Sequence, residues 1–137
     1  MRYWSFAAML AAVAASGCHS DTYPVSGTVT FEDQSPVKDA RVVFRSTFNG
    51  EFISAFATTD ENGEYALTTW QTDDGAVAGE HVVVVTKPQQ VIETEEGKAE
   101  LLPPEIDEKY ADYKTTPLKF TVKEDDNVIN IEVGRVK

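Results

Sequence analysis

Cysteine and histidine are almost missing from this chain. Of 137 residues one is cysteine, Cys18, and two are histidine, His19 and His81. A single thiol excludes a disulfide within the chain and any cysteine-rich metal centre, so a domain built here must be held by its core. About 120 residues suffice, since a domain of that size buries roughly two-thirds of its unfolded surface. Two imidazoles leave little from which to build a histidine-based nucleophilic or zinc site. Basic residues are also few, with 12 Lys and Arg against 23 Asp and Glu and a formal net charge of −11. They form no cluster. Without one, nothing neutralises a phosphate backbone, which excludes nucleic-acid binding. The acidity favours solubility and repels anionic headgroups.

The apolar material at the N-terminus is short. Arg2 is a minimal positive region, and Tyr3 to Ala15 is an alanine-rich apolar stretch carrying Trp4, Phe6, Met9, Leu10 and Val13. It has the length of a signal-peptide core and falls short of the ~20 residues that span a bilayer. Small residues follow. Ala15-Ser16-Gly17-Cys18 resembles the lipobox of bacterial lipoproteins, with Ala where Leu is commoner. That resemblance implies a signal peptide over residues 1–17, cleaved before Cys18, and a diacylglyceryl thioether on its sulfur. A free thiol in an oxidising compartment would be a liability, whereas a thioether is inert. Several acyl chains anchor stably where one is marginal. Residues 18–22 then form a tether of at most about 17 Å, which keeps the domain beside the membrane. Loss of Arg2 makes the mature chain more acidic still.

From Tyr23 onward the pattern is that of strands. Val25, Gly27, Val29 and Phe31 alternate with Ser26, Thr28, Thr30 and Glu32, the period of a half-buried strand. Ala40 to Ser46 is a second strand with Ala40, Val42 and Phe44 inward and Arg41 and Arg45 outward. Asn49-Gly50 predicts a tight turn. Glu51 to Thr59 is a third strand whose facing is ambiguous, because both faces are largely apolar. Asp60-Glu61-Asn62-Gly63 is a strong turn signal. Strands follow at Glu64 to Thr69, Glu80 to Lys87, Leu118 to Lys123 and Val128 to Gly134. Seven short strands without a long amphipathic helix predict an all-β, seven-stranded Greek-key β-sandwich. No Cys-Trp-Cys arrangement supports an immunoglobulin domain.

A family resemblance covers roughly residues 23 to 134. Tyr23-Pro24-Val25-Ser26-Gly27-Thr28-Val29-Thr30-Phe31, Pro36-Val37 and Ala40-Arg41-Val42-Val43-Phe44 resemble the opening of carboxypeptidase regulatory-like domains. Thr59-Asp60-Glu61-Asn62-Gly63-Glu64-Tyr65-Ala66-Leu67 resembles their central motif. Asp74-Gly75-Ala76 with Gly79-Glu80-His81-Val82-Val83-Val84 resembles their Gly-x-Tyr-x-Val strand, with His81 where Tyr is usual. The resemblance implies a transthyretin-like (prealbumin-like) sandwich over 23–137. These motifs specify turns and core, and carry no chemistry. The transthyretin-like purine-pathway hydrolase ends in Tyr-Arg-Gly-Ser; this chain ends Val133-Gly134-Arg135-Val136-Lys137. The Lys–Asn isopeptide bond of related surface domains needs a core-facing Lys in the first strand. None is there, and Asn130 lies on the face opposite Ile129 and Ile131.

Few candidate sites remain. His81, among valines, reads as a core histidine. Asp60, Asn62, Asp73 and Asp74, with Glu64, are weak calcium candidates; turn chemistry explains them, so no metal and no cofactor is expected. The connection over 88–116 is long and acidic. Its residues 89–97 are expected to be mobile. Leu101, Leu102, Ile106, Tyr110 and Tyr113 are expected to fold over the outer face of the strand carrying Val82-Val83-Val84-Val85, because four consecutive valines imply burial on both faces. Together these features point to a lipid-anchored lipoprotein of the cell envelope, at the outer membrane or cell surface. It would serve as a non-enzymatic structural or protein-interaction module, with an envelope protein as partner and the membrane reached through its lipid. The alternative is a carbohydrate- or small-ligand-binding surface protein, for which Trp70 is the only hint. Oligomeric state is not legible.

Overall fold

The computed structural model describes residues 21–137, which are all-β apart from one 3-10 turn. The stretch read as a signal peptide, Cys18 and most of the expected tether lie outside the described residues. The strands are β1 Thr22–Tyr23, β2 Val25–Phe31, β3 Arg41–Phe48, β4 Glu51–Thr58, β5 Glu64–Ala66, β6 Ala76–Val77, β7 Gly79–Thr86, β8 Val91–Glu93, β9 Ala99–Leu101, β10 Lys119–Val122, β11 Asn127–Val128 and β12 Ile131–Val133. One sheet runs β10-β7-β3-β4. In the other, β2 pairs antiparallel with β5 on one side and parallel with β11 and β12 on the other.

The alternation read from the sequence fills the space between these sheets. Val25, Val29 and Phe31 of β2, Val42 and Phe44 of β3, Ala55 and Ala57 of β4, and Val83 and Val85 of β7 meet Tyr65, Val122, Ile131 and Val133 in one core. Alanine at 55 and 57 settles the facing of β4: the small side chains point in, and Phe52 and Phe56 point out. The β3–β4 turn is made by Asn49 and Gly50 at φ 51° and 81°, a conformation that suits Asn-Gly.

Twelve strand segments stand where seven were expected. Some of the surplus is interruption. Pro24, which has no N–H, separates β1 from β2. The last strand breaks between β11 and β12. There Ile129 donates its N–H to Ser26 (2.8 Å), and the Asn130 side chain accepts from the Thr28 N–H (3.1 Å) in place of a backbone carbonyl. A Cβ on Gly27 would collide with the Ile129 carbonyl, so glycine is required where that carbonyl lies against β2.

The long connection differs from its expectation in two respects. Residues 91–93 and 99–101 form the β8–β9 hairpin, closed by Thr94 and Lys98 at 2.8 Å, in place of a structureless segment. The second half does pack, but it divides: Tyr113 lies on the outer face as expected, 3.7 Å from Arg45, and the rest goes elsewhere. Ile106 and Tyr110 join the core between the sheets. The physical reason is an open edge: β10 accompanies β7 only from Gly79 to Val82. Beyond that the connection takes over the edge of β7, with Leu118 accepting from the Val83 N–H (2.9 Å) and Thr116 Oγ1 donating to the Val83 carbonyl (2.7 Å). Val84 is buried and Val82 half-buried, while Leu101 remains exposed.

Candidate functional site

The surface with the most unspent chemistry is the outer face of the β10-β7-β3-β4 sheet. Inward Val42 and Phe44 force Arg41, Val43 and Arg45 outward. The register places Arg41 opposite Thr58 and Arg45 opposite Ser54. Each arginine therefore reaches the diagonal neighbour on β4, a distance that long side chains cover. The Arg41 guanidinium lies 5.4 Å from the centre of the Phe56 ring, and that of Arg45 lies 4.4 Å from Phe52. On its other side Arg45 meets Tyr113 of the connection at 3.7 Å. Arg45 is thus held between two aromatic faces, a geometry that favours a cation electrostatically.

Charge on this face opposes that of the whole chain. Arg41, Arg45 and Lys119 project here against Glu80, and neither arginine forms an ion pair among the described residues. Phe52 is 74% exposed and Phe56 43%. The flanking edge is also open. Phe56 exchanges backbone hydrogen bonds with Thr68 at 3.0 Å each way. Phe52 and Ser54 turn their backbone groups in the same direction and find no backbone partner among the described residues. An unpaired edge of this kind is a template for strand addition.

The sequence-predicted residues are scattered. His81 is 1% exposed, with Nε2 donating to the Val77 carbonyl at 2.7 Å. Nδ1 is then the lone-pair nitrogen and has no partner. Burial pushes the imidazole below its ordinary pKa, against the opposing pull of the backbone carbonyls of Val77 and Phe44. Its ring neighbour is Phe44, with centroids 5.8 Å apart. Asp60 and Asp73 line one open cleft of about 560 Å³ with Glu64, but Asn62 and Asp74 do not. Asp60 accepts from the N–H groups of Asn62 and Glu64, both at 2.9 Å. Asp74 is used up in its own loop, accepting from Thr69 (2.7 Å), Trp70 (3.1 Å) and Gln71 (3.0 Å). Partial burial raises the Asp74 pKa, and these backbone donors together outweigh it, leaving the carboxyl below its usual range. Among the described residues no three acidic, histidine or cysteine side chains gather as a metal site. Trp70 is 55% exposed and lies edge-on to Phe48 at 6.2 Å.

Arg45 and Phe52 were not singled out from the sequence. Arg45 was placed on an outward face, but its aromatic neighbours come from another strand and from a distant connection.

No family model and no curated protein matches this chain. Among solved structures it is similar to the major pilin subunit BcpA of Bacillus cereus, at 15% identity over 83% of this chain and 29% of that one, TM-score 0.42. A variant of the same pilin gives 16% identity, 85% and 30% coverage and a TM-score of 0.43. A 9R-lipoxygenase from Cyanothece PCC8801 gives 10%, 83% and 16%, and 0.39. The chain thus spans less than a third of each of these proteins.

Proposed function

We propose that this chain is a lipoprotein of the bacterial cell envelope, anchored through Cys18, whose carboxypeptidase regulatory-like, transthyretin-like Greek-key domain serves as a non-enzymatic protein-interaction module. The observation that carries the module reading is the Phe52–Arg45–Tyr113 stack beside an open strand edge. Exposed aromatics and arginine are the residue types that dominate binding energy at interfaces, and here they sit on a rigid sheet. Anchoring rests on the lipobox-like tetrapeptide and the short apolar run before it.

Photo-crosslinking in intact cells tests the module. Phe52 and Val128 have equal exposure, 74% each, but Val128 lies in the other sheet. A photoreactive residue at 52 should give a discrete protein adduct that the same residue at 128 does not. Equal patterns from the two positions, or none from 52, contradict the reading. The exposed Trp70 beside Phe48 supports the second reading, a carbohydrate surface, since exposed aromatics stack on sugar rings. Trp70→Ala would then abolish glycan binding and leave the adduct from position 52 in place.

A further inference from the structure

The chain carries, at one end of a sheet, a surface complementary to the one just described. The β8–β9 hairpin stands away from the body with all six strand residues exposed. Val91 and Leu101, paired across the hairpin, are 61% and 59% exposed, and Ile92 is 41% exposed. Around them lie Glu93, Glu95, Glu96 and Glu100 against the single base Lys98. An isolated two-stranded hairpin is marginal in water. Both of its edges are unpaired, and its apolar side chains are left in solvent.

We propose that the β8–β9 hairpin of one copy docks on the Arg41/Arg45/Phe52 face and open β4 edge of a second copy. The proposal rests on the reading of that face as an interaction surface and names its partner. Charge is the argument for the occupant. Around Arg45 and Phe52 the receiving face is basic on a chain of net charge −11, whereas Asp60, Glu64 and Asp73 line the cleft beside Phe56. The hairpin is a compact acidic element of the same chain. Apolar content also matches: Val91 and Leu101, which share one face of the hairpin, meet Phe52, while Ile92 points to the other face. A free strand edge on each side supplies the backbone pairing.

The contact is between copies because the hairpin leaves the sheet at the Arg41 end, whereas Phe52 and the open edge beside it lie at the far end. The hairpin follows Thr86, which is in register with Arg41, and its base is held by the Lys87–Glu105 ion pair at 3.0 Å. Phe52 is in register with Thr47, about 20 Å further along at the rise of a strand. A contact joining two different patches either closes as a reciprocal two-fold dimer, each hairpin on the other copy's face, or repeats head to tail into rings or open chains.

Sedimentation velocity of the full chain, in one detergent throughout, tests this across a range of concentration and salt. Dimers or larger species should grow with concentration and shrink with added salt. Arg41→Glu/Arg45→Glu should weaken association about tenfold or more, and so should Glu93→Lys/Glu100→Lys, whose positions are solvent-exposed and outside the core. Mixing the two reversed proteins should restore association, an outcome that clustering of lipid anchors does not produce. A chain that stays monomeric at every concentration overturns the proposal, as does association indifferent to both reversals or not restored by mixing. A monomeric chain whose position 52 crosslinks to a different protein overturns the second copy as partner and leaves the module reading intact.

Discussion

Arg45 on β3 lies 3.7 Å from the ring centre of Tyr113, a residue that the chain reaches only after four further strands and a hairpin. This one contact fixes the end of the long connection to the outer face of the sheet. It also presents Phe52, on the other side of the guanidinium, to solvent.

The stack should be measurable as stability. Two cation–aromatic contacts on a partly exposed arginine contribute roughly 1–2 kcal/mol together. Arg45→Ala should lower the unfolding free energy by that amount, read as a fall in the urea midpoint equal to that energy divided by the m-value. Arg45→Lys should recover part of it, because a lysine keeps the charge and loses the planar stacking. A cycle with Tyr113→Ala should show coupling of about 0.5–1 kcal/mol. Additive losses would mean that the contact contributes nothing.

His81 makes the fold acid-sensitive. Its folded pKa lies below the ordinary value because burial disfavours the imidazolium. The unfolded chain therefore binds the proton more readily, and stability rises with pH in that window. The contribution is complete above the unfolded value of about 6.5 and is lost as pH falls below it, with a slope of at most about 1.4 kcal/mol per pH unit. Asp74 acts in the same direction but further down, once pH falls through the carboxylate range. Denaturant titrations between neutral pH and about pH 5 should show a slope for the natural chain that His81→Phe removes. An unchanged slope would place the titrating group elsewhere.

Two glycines separate backbone strain from collision. Gly50 has φ 81° and open space around its absent Cβ, whereas Gly75 has φ 91° and a Cβ there would strike the Tyr23 carbonyl. Gly50→Ala should cost about 1–2 kcal/mol from φ alone. Gly75→Ala should cost about 3 kcal/mol or more, because the backbone of β1 must also move. Equal losses on thermal unfolding would show that the Gly75 loop yields freely.

Local chemistry made much of this fold legible. Alternation identified the inward residues of β2, β3 and the last strand. Asn49-Gly50 and Asp60 to Gly63 announced turns that the structure forms. The facing of β4 is ambiguous in the sequence because Phe52 and Phe56 are apolar residues kept outside, and they mask the alternation with Ala55 and Ala57. The apolar second half of the connection was recognisable as packing material, but its destination was not. Ile106 and Tyr110 enter the core through a gap that exists only because β10 stops short of Val83, and no local signal reports where a partner strand ends. The break at Ile129 and Asn130 depends likewise on Gly27, some hundred residues earlier. The candidate face was illegible for the same reason, since its cation and its rings come together only through register.

The central claim is an interaction module held at a membrane through Cys18, and mass spectrometry of the N-terminal peptide of the native protein tests it most directly. The account predicts a chain that begins at Cys18, lacks residues 1–17 and carries the added mass of a diacylglyceryl group and a further acyl chain. A mature peptide with an unmodified Cys18, or one that still contains the apolar run before it, would contradict the account.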